Sequence, residues 1–90
     1  MLSLDIGVKK GNFFGDAAWT FPIGQVDEQA QKLLRVGQEA LKAGIAAFCF
    51  RKQVKEIGRA VQAVVEAKGF SIVRDFVGHG VGYELHEFPQ

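Results

Sequence analysis

Residues 1–24 read MLSLDIGVKKGNFFGDAAWTFPIG, and this stretch decides the fold. Leu2 to Lys9 and Phe13 to Ile23 have strand patterns, and Gly11-Asn12 stands between them. Glycine and asparagine both tolerate the positive φ of tight hairpin turns, so the stretch predicts a β-hairpin. In the first strand Leu2, Leu4, Ile6 and Val8 alternate with Ser3, Asp5, Gly7 and Lys9, which sets Asp5 on the face opposite the aliphatic row. A two-residue turn at Gly11-Asn12 pairs Asp16 with Gly7 and makes Asp5 and Asp16 diagonal neighbours on one face. A turn at Lys10-Gly11 would set them directly opposite. Like charges so placed repel. The two carboxylates are therefore either solvated strand residues or negative charge collected for a cation. Phe13, Phe14, Ala17, Ala18, Trp19, Phe21 and Ile23 surround Asp16 with apolar residues, which predicts a closed environment for it. A carboxylate there needs a proton, a hydrogen-bonding partner or a metal.

After Pro22 and Gly24 the period becomes helical. Ala30, Leu33, Leu34, Leu41, Ile45 and Phe48 form one apolar stripe, with Gly37 filling a gap. Asp27 is placed to cap the helix, and Gly37 and Gly44 mark weak points or close packing. From Ala46 to Gln53, through Phe48-Cys49-Phe50 and Arg51-Lys52, the sequence has no breaker, so the helix can run on. A second stripe follows in Val54, Ile57, Val61, Val64 and Val65, with Gly69 where a glycine after a helix belongs. Phe70 to Val73 is β-like. The order of hairpin, two amphipathic helices and strand makes the class α+β.

Ninety residues make at most one small domain. A formal charge of +1 with mixed signs gives no nucleic-acid footprint, and no apolar run is long enough to span a bilayer, so neither nucleic acid nor membrane is an expected partner. The single cysteine, Cys49, excludes an internal disulfide and a multi-cysteine zinc site, and reads as a small buried hydrophobe. It fits a reducing cytoplasm. Eight Phe and one Trp are a large apolar load for so short a chain, which suggests a piece whose surfaces pack on the rest of a larger fold or on a partner.

Gly78-His79-Gly80-Val81-Gly82 is the second informative stretch. Glycines on both sides of His79 allow close approach, as suits a histidine that must reach a metal or substrate. His86 lies seven residues on. Imidazole and carboxylate together suit zinc, manganese, iron or cobalt. Glu84 and Glu87 read as exposed acidic residues, with a metal role as the alternative.

Asp5-Ile6-Gly7, Gly15-Asp16-Ala17-Ala18-Trp19-Thr20-Phe21-Pro22-Ile23-Gly24 and the run from Arg74 through Gly78-His79-Gly80-Val81-Gly82 to His86-Glu87-Phe88-Pro89-Gln90 together resemble type I methionine aminopeptidase. The resemblance covers essentially the whole chain. It implies a fragment of the pita-bread (creatinase/aminopeptidase) fold, residues 1–90 being part of a metallopeptidase catalytic domain whose N- and C-terminal portions lie outside it. It implies two divalent metal ions, with Asp5 binding one, Asp16 bridging both and His79 binding the second. His86 would be a catalytic non-ligand that hydrogen-bonds the substrate and steadies the tetrahedral intermediate. Leu85 would line the pocket for the methionine side chain. The family reaction removes the initiator methionine from nascent polypeptides when the second residue is small, in the cytoplasm. Two glutamate ligands of the family have no counterpart here, so the chain alone is expected to be inactive or nearly so. A truncated, non-catalytic relative that self-associates or binds a partner through exposed apolar surface is the alternative.

Overall fold

The computed structural model describes residues 1–49 and 52–90, in the order β1 (Leu2–Lys10), β2 (Phe13–Phe21), α1 (Glu28–Ala47) and α2 (Val54–Ala67). The chain divides into two units, one of residues 1–25 with 75–90 and one of residues 26–74.

In the first unit β1 and β2 form a two-stranded antiparallel sheet with Gly11-Asn12 at the turn and Gly11 at φ 61°. Gly7 pairs with Asp16 and Asp5 with Ala18, the register that this turn dictates. Ser3, Asp5, Gly7 and Lys9 thus share a face with Thr20, Ala18, Asp16 and Phe14. The side chains confirm the face, since Ser3 Oγ lies 2.9 Å from Thr20 Oγ1 and Lys9 Nζ lies 5.2 Å from the Phe14 ring centre. Leu2, Leu4, Ile6 and Val8 share the opposite face with Phe21 and Trp19, all of them exposed.

In the second unit two helices pack together. Asp27 caps α1 as the sequence predicts, its Oδ1 accepting the Ala30 N–H at 2.7 Å. The Glu56 carboxylate accepts the Gln53 N–H at the start of α2. α2 ends in a Schellman motif: Phe70 N–H donates to Val65 O, Gly69 N–H donates to Glu66 O, and Gly69 takes φ 83°.

Four sequence readings need correction here. The buried side of α1 is Val36, Ala40 and Gly44, while Leu33, Leu41, Ile45 and Phe48 of the expected stripe are exposed. α1 is apolar on more than one side, and the small-residue side lets α2 come close. A Cβ on Gly44 would lie 3.1 Å from Val61 Cγ2, whereas one on Gly37 would meet nothing within 4 Å. α1 also stops at Ala47 rather than running on: Phe48 leaves helical geometry at ψ 84° while its N–H still reaches Gly44 O and Ile45 O. Phe50 and Arg51 lie outside the described residues. Cys49 is exposed, its thiol directed at Ala46 O 3.2 Å away, instead of buried. Finally, Phe70–Val73 is not a strand, because strand geometry is held by a ladder and no described residue pairs with this stretch.

Candidate metal centre

The acidic face of the hairpin follows from alternation and register alone. Asp5 and Asp16 stand diagonally across the β1–β2 pair, and Gly7, between them on that face, has no side chain to separate them. The Asp16 side chain is 28% exposed, more open than its apolar neighbours in sequence suggest. Ala17, Trp19 and Phe21 alternate onto the other face and do not close over it.

The histidine stretch returns to this face by a short backbone closure. Gly80 N–H donates to Glu87 O at 2.8 Å and Glu87 N–H donates to Gly80 O at 2.9 Å, an antiparallel bridge. Gly80 N–H also reaches Pro89 O at 2.7 Å. This is the position where glycine is required: a Cβ on Gly80 would lie 2.5 Å from Phe88 O and 2.9 Å from Phe88 C. The bridge explains the seven-residue spacing of the histidines. His79 and His86 each precede a bridged residue, so they fall diagonally on one side of the closure. Their ring centres are 4.2 Å apart. His79 is half-buried and His86 exposed.

His79 Nε2 lies 3.3 Å from Asp16 Oδ2, and His79 Nδ1 lies 2.9 Å from Gly80 O. A carbonyl oxygen only accepts, so Nδ1 carries the hydrogen of that bond. Nε2 is then either a bare lone pair facing a carboxylate oxygen or a protonated imidazolium. Two acceptors facing each other at this range need a positive charge between or beside them, a proton or a metal ion. The N/O pair, with the distal ring nitrogen tied to a backbone carbonyl, is the support commonly seen behind metal-ligating histidine. The donor chemistry therefore fits a divalent transition metal. Asp5 lies on the same face as Asp16, but among the described residues no group of three His, Cys, Asp or Glu side chains converges closely enough to hold an ion. The structure brings His79 to Asp16 and His86 to His79, and leaves Asp5 one step away along the face.

Leu85 also reaches this face. A Cβ on Gly7 would lie 3.3 Å from Leu85 Cδ1, so the leucine occupies the space that Gly7 leaves beside the carboxylates. Glu87 is neither a free surface acid nor placed as a ligand. Its Oε2 accepts the Glu84 N–H at 3.1 Å, and its backbone makes the bridge. Sequence reasoning missed this closure, although three alternating glycines followed by a Glu were its signal. It also missed the Phe14 N–H to Gly82 O bond of 2.7 Å, which fastens the segment to the free edge of β2. No residue type announces that bond, because it is purely backbone.

A model of metallopeptidase family M24 matches residues 1–90. Methionine aminopeptidase 1 of Bacillus subtilis strain 168 is 43% identical over 90 residues, covering 100% of this chain and 36% of that protein. The methionine aminopeptidase of Escherichia coli strain K12 is 38% identical over 90 residues, covering 34% of its own length. The crystal structure of methionine aminopeptidase from Thermotoga maritima superposes with a TM-score of 0.94 at 41% identity, covering 98% of this chain and 35% of that one. That from Rickettsia prowazekii superposes at 0.81 with 27% identity, covering 97% of this chain and 35% of its own. The chain thus spans about a third of the length of the relatives it matches.

Proposed function

The chain belongs to metallopeptidase family M24, and from that premise we propose that it forms part of the active centre of a methionine aminopeptidase acting on nascent polypeptides in the cytoplasm. Residues 1–90 are then one portion of a catalytic domain with the pita-bread fold. The substrate is an N-terminal methionine followed by a small residue.

Asp5, Asp16 and His79 are the side chains that would hold two divalent cations, cobalt, manganese, iron or zinc. Such ions, when bound, acidify water and draw electron density from a carbonyl. The protein's own groups set the rest. The Gly80 carbonyl holds the His79 Nδ1 hydrogen, which turns Nε2 toward Asp16. His86, exposed and beside His79, is free to donate a hydrogen bond to the oxygen of the scissile carbonyl as charge grows there. Leu85 gives the methionine side chain an apolar contact on the same face.

The observation that carries this reading is the 3.3 Å approach of His79 Nε2 to Asp16 Oδ2 with Nδ1 already engaged. Calorimetric titration with cobalt(II) or manganese(II) tests it. Asp16→Ala is expected to weaken binding by roughly tenfold or more, since even supporting residues around a metal cost that much. Equal binding by the wild type and the variant would sink the proposal. Three donor side chains leave the cations short of ligands, so the ninety-residue chain is expected to release little methionine from a Met-Ala peptide. Rapid release by the pure chain with added metal would contradict this.

The exposed row Leu2, Leu4, Ile6, Val8, Trp19 and Phe21 favours a second reading, a non-catalytic relative that self-associates through this face. Light scattering on the eluting protein decides it, because a monomer at high concentration removes self-association.

A further inference from the structure

Besides the approach of His79 to Asp16, the segment that carries both histidines meets the hairpin at three further points, one on the edge of β2 and one on each face of the sheet. Gly82 O accepts the Phe14 N–H at 2.7 Å on the strand's edge. Leu85 fills the space over Gly7 on the carboxylate face. The Tyr83 ring packs on Phe13, centres 4.9 Å apart and planes at 32°, and Phe13 alternates onto the opposite face from Phe14. Tyr83 and Leu85 thus straddle the edge of β2 with the backbone bond between them. One hydrogen bond alone leaves the segment free to pivot about it. Contacts on both faces remove that freedom.

We propose that Tyr83 is a positioning residue, whose stacking on Phe13 holds the His79–His86 closure in register with Asp16. Tyr83 is 70% exposed and its ring packs on Phe13, while the two histidine rings meet at a tilt of 50°. Its contribution is orientation. The pairing is a tilted aromatic contact with a centre separation in the range such rings favour. It sits at the hairpin end of the segment, where a small rotation about the Phe14–Gly82 bond is magnified at the histidines. The functional consequence rests on the metal-centre reading, whereas the positional claim does not.

Two variants and two readouts separate these layers. Nuclear Overhauser effects from the Leu85 methyls to Gly7, and between the His79 and His86 rings and the hairpin, report the seating without any metal. Tyr83→Ala is expected to abolish the Leu85–Gly7 effect and to shift the His79 ring resonances, while Tyr83→Phe leaves both as in the wild type. Titration with cobalt(II) alone then reads the consequence. Tyr83→Ala is expected to bind roughly tenfold more weakly than the wild type, as loss of an orienting partner does around a metal, and Tyr83→Phe within about twofold of it. A Leu85–Gly7 effect preserved in Tyr83→Ala overturns the proposal, as does its disappearance from Tyr83→Phe with the far-UV spectrum intact. If Tyr83→Ala unseats the segment while cobalt binding is unchanged in both Tyr83→Ala and Asp16→Ala, the positional role is upheld and the metal centre is overturned instead.

Discussion

In the helical unit the backbone satisfies itself locally. Past the first turn the amides of α1 and α2 find carbonyls one turn back, the Asp27 and Glu56 carboxylates each accept a backbone N–H at a helix start, and the Gly69 motif closes one end. In the hairpin unit residues 75–90 have no such repeat. They hold to β2 by one backbone bond and to themselves by the Gly80–Glu87 bridge, and the candidate ligands sit where these few bonds leave them. The contrast is between a structure that averages many equivalent interactions and one that depends on several singular ones. A single added methyl should therefore damage the second far more than the first.

Gly80→Ala tests this most severely. The new Cβ would lie 2.5 Å from Phe88 O, and the obstruction is backbone, which no rotamer change relieves. We expect the bridge to open at a cost of about 3 kcal/mol, the upper end for overpacking a fitted site. Hydrogen exchange should show the Gly80 and Glu87 amides losing protection while α1 and α2 keep theirs. Gly82→Ala is the control in the same loop. There the Cβ would meet only the Glu87 carboxylate, the movable tip of a side chain, so the expected loss is about 1 kcal/mol, the worth of the Glu84–Glu87 bond that must shift. Equal effects at the two glycines would erase the distinction between backbone and side-chain obstruction.

Within the helical unit the corresponding change is milder. Asp27→Ala removes the oxygen that accepts the Ala30 N–H and should cost about 1 kcal/mol, typical of a lost cap. Urea unfolding followed by far-UV circular dichroism measures it. Unchanged stability would mean that water replaces the cap without loss.

The sequence was legible wherever chemistry is local. Gly11-Asn12 named the turn, the turn named the register, and the register put Asp5 and Asp16 on one face. Asp27 and Gly69 announced the helix ends at which they stand. Periodicity found α1 but chose the wrong face, because the bulk lies in Leu33, Leu41 and Ile45 while the buried residues are Val36, Ala40 and Gly44, the last against Val61 of α2. Side-chain size predicts how much area a face can bury, and closeness of approach depends on which face is small. The β-like Phe70–Val73 failed for a related reason, since propensity describes a residue's readiness and a strand requires a partner. His79 and His86 stood out in the sequence, but the bridge that aligns them is written in backbone amides and lies beyond any side-chain pattern.

The finest test concerns two glycines of one helix. In a helix interior alanine is favoured over glycine by roughly 1 kcal/mol. At Gly37 a Cβ would meet nothing within 4 Å, so Gly37→Ala should raise stability by about that amount. At Gly44 the same methyl would lie 3.1 Å from Val61 Cγ2 and 3.6 Å from Ile57 Cγ2. The two helices must part there by a few tenths of an ångström, and the packing lost between them offsets the propensity gained. Gly44→Ala is therefore expected to fall within about 0.5 kcal/mol of the wild type. The double variant with Val61→Ala isolates the contact: the valine methyl that crowds the new Cβ is gone, so the double variant should be more stable than the sum of the singles predicts, by the margin usual for touching residues, about 0.5 kcal/mol or more. Strict additivity would show that α1 and α2 do not meet at Gly44, and that the small-residue face is a feature of composition without a packing role.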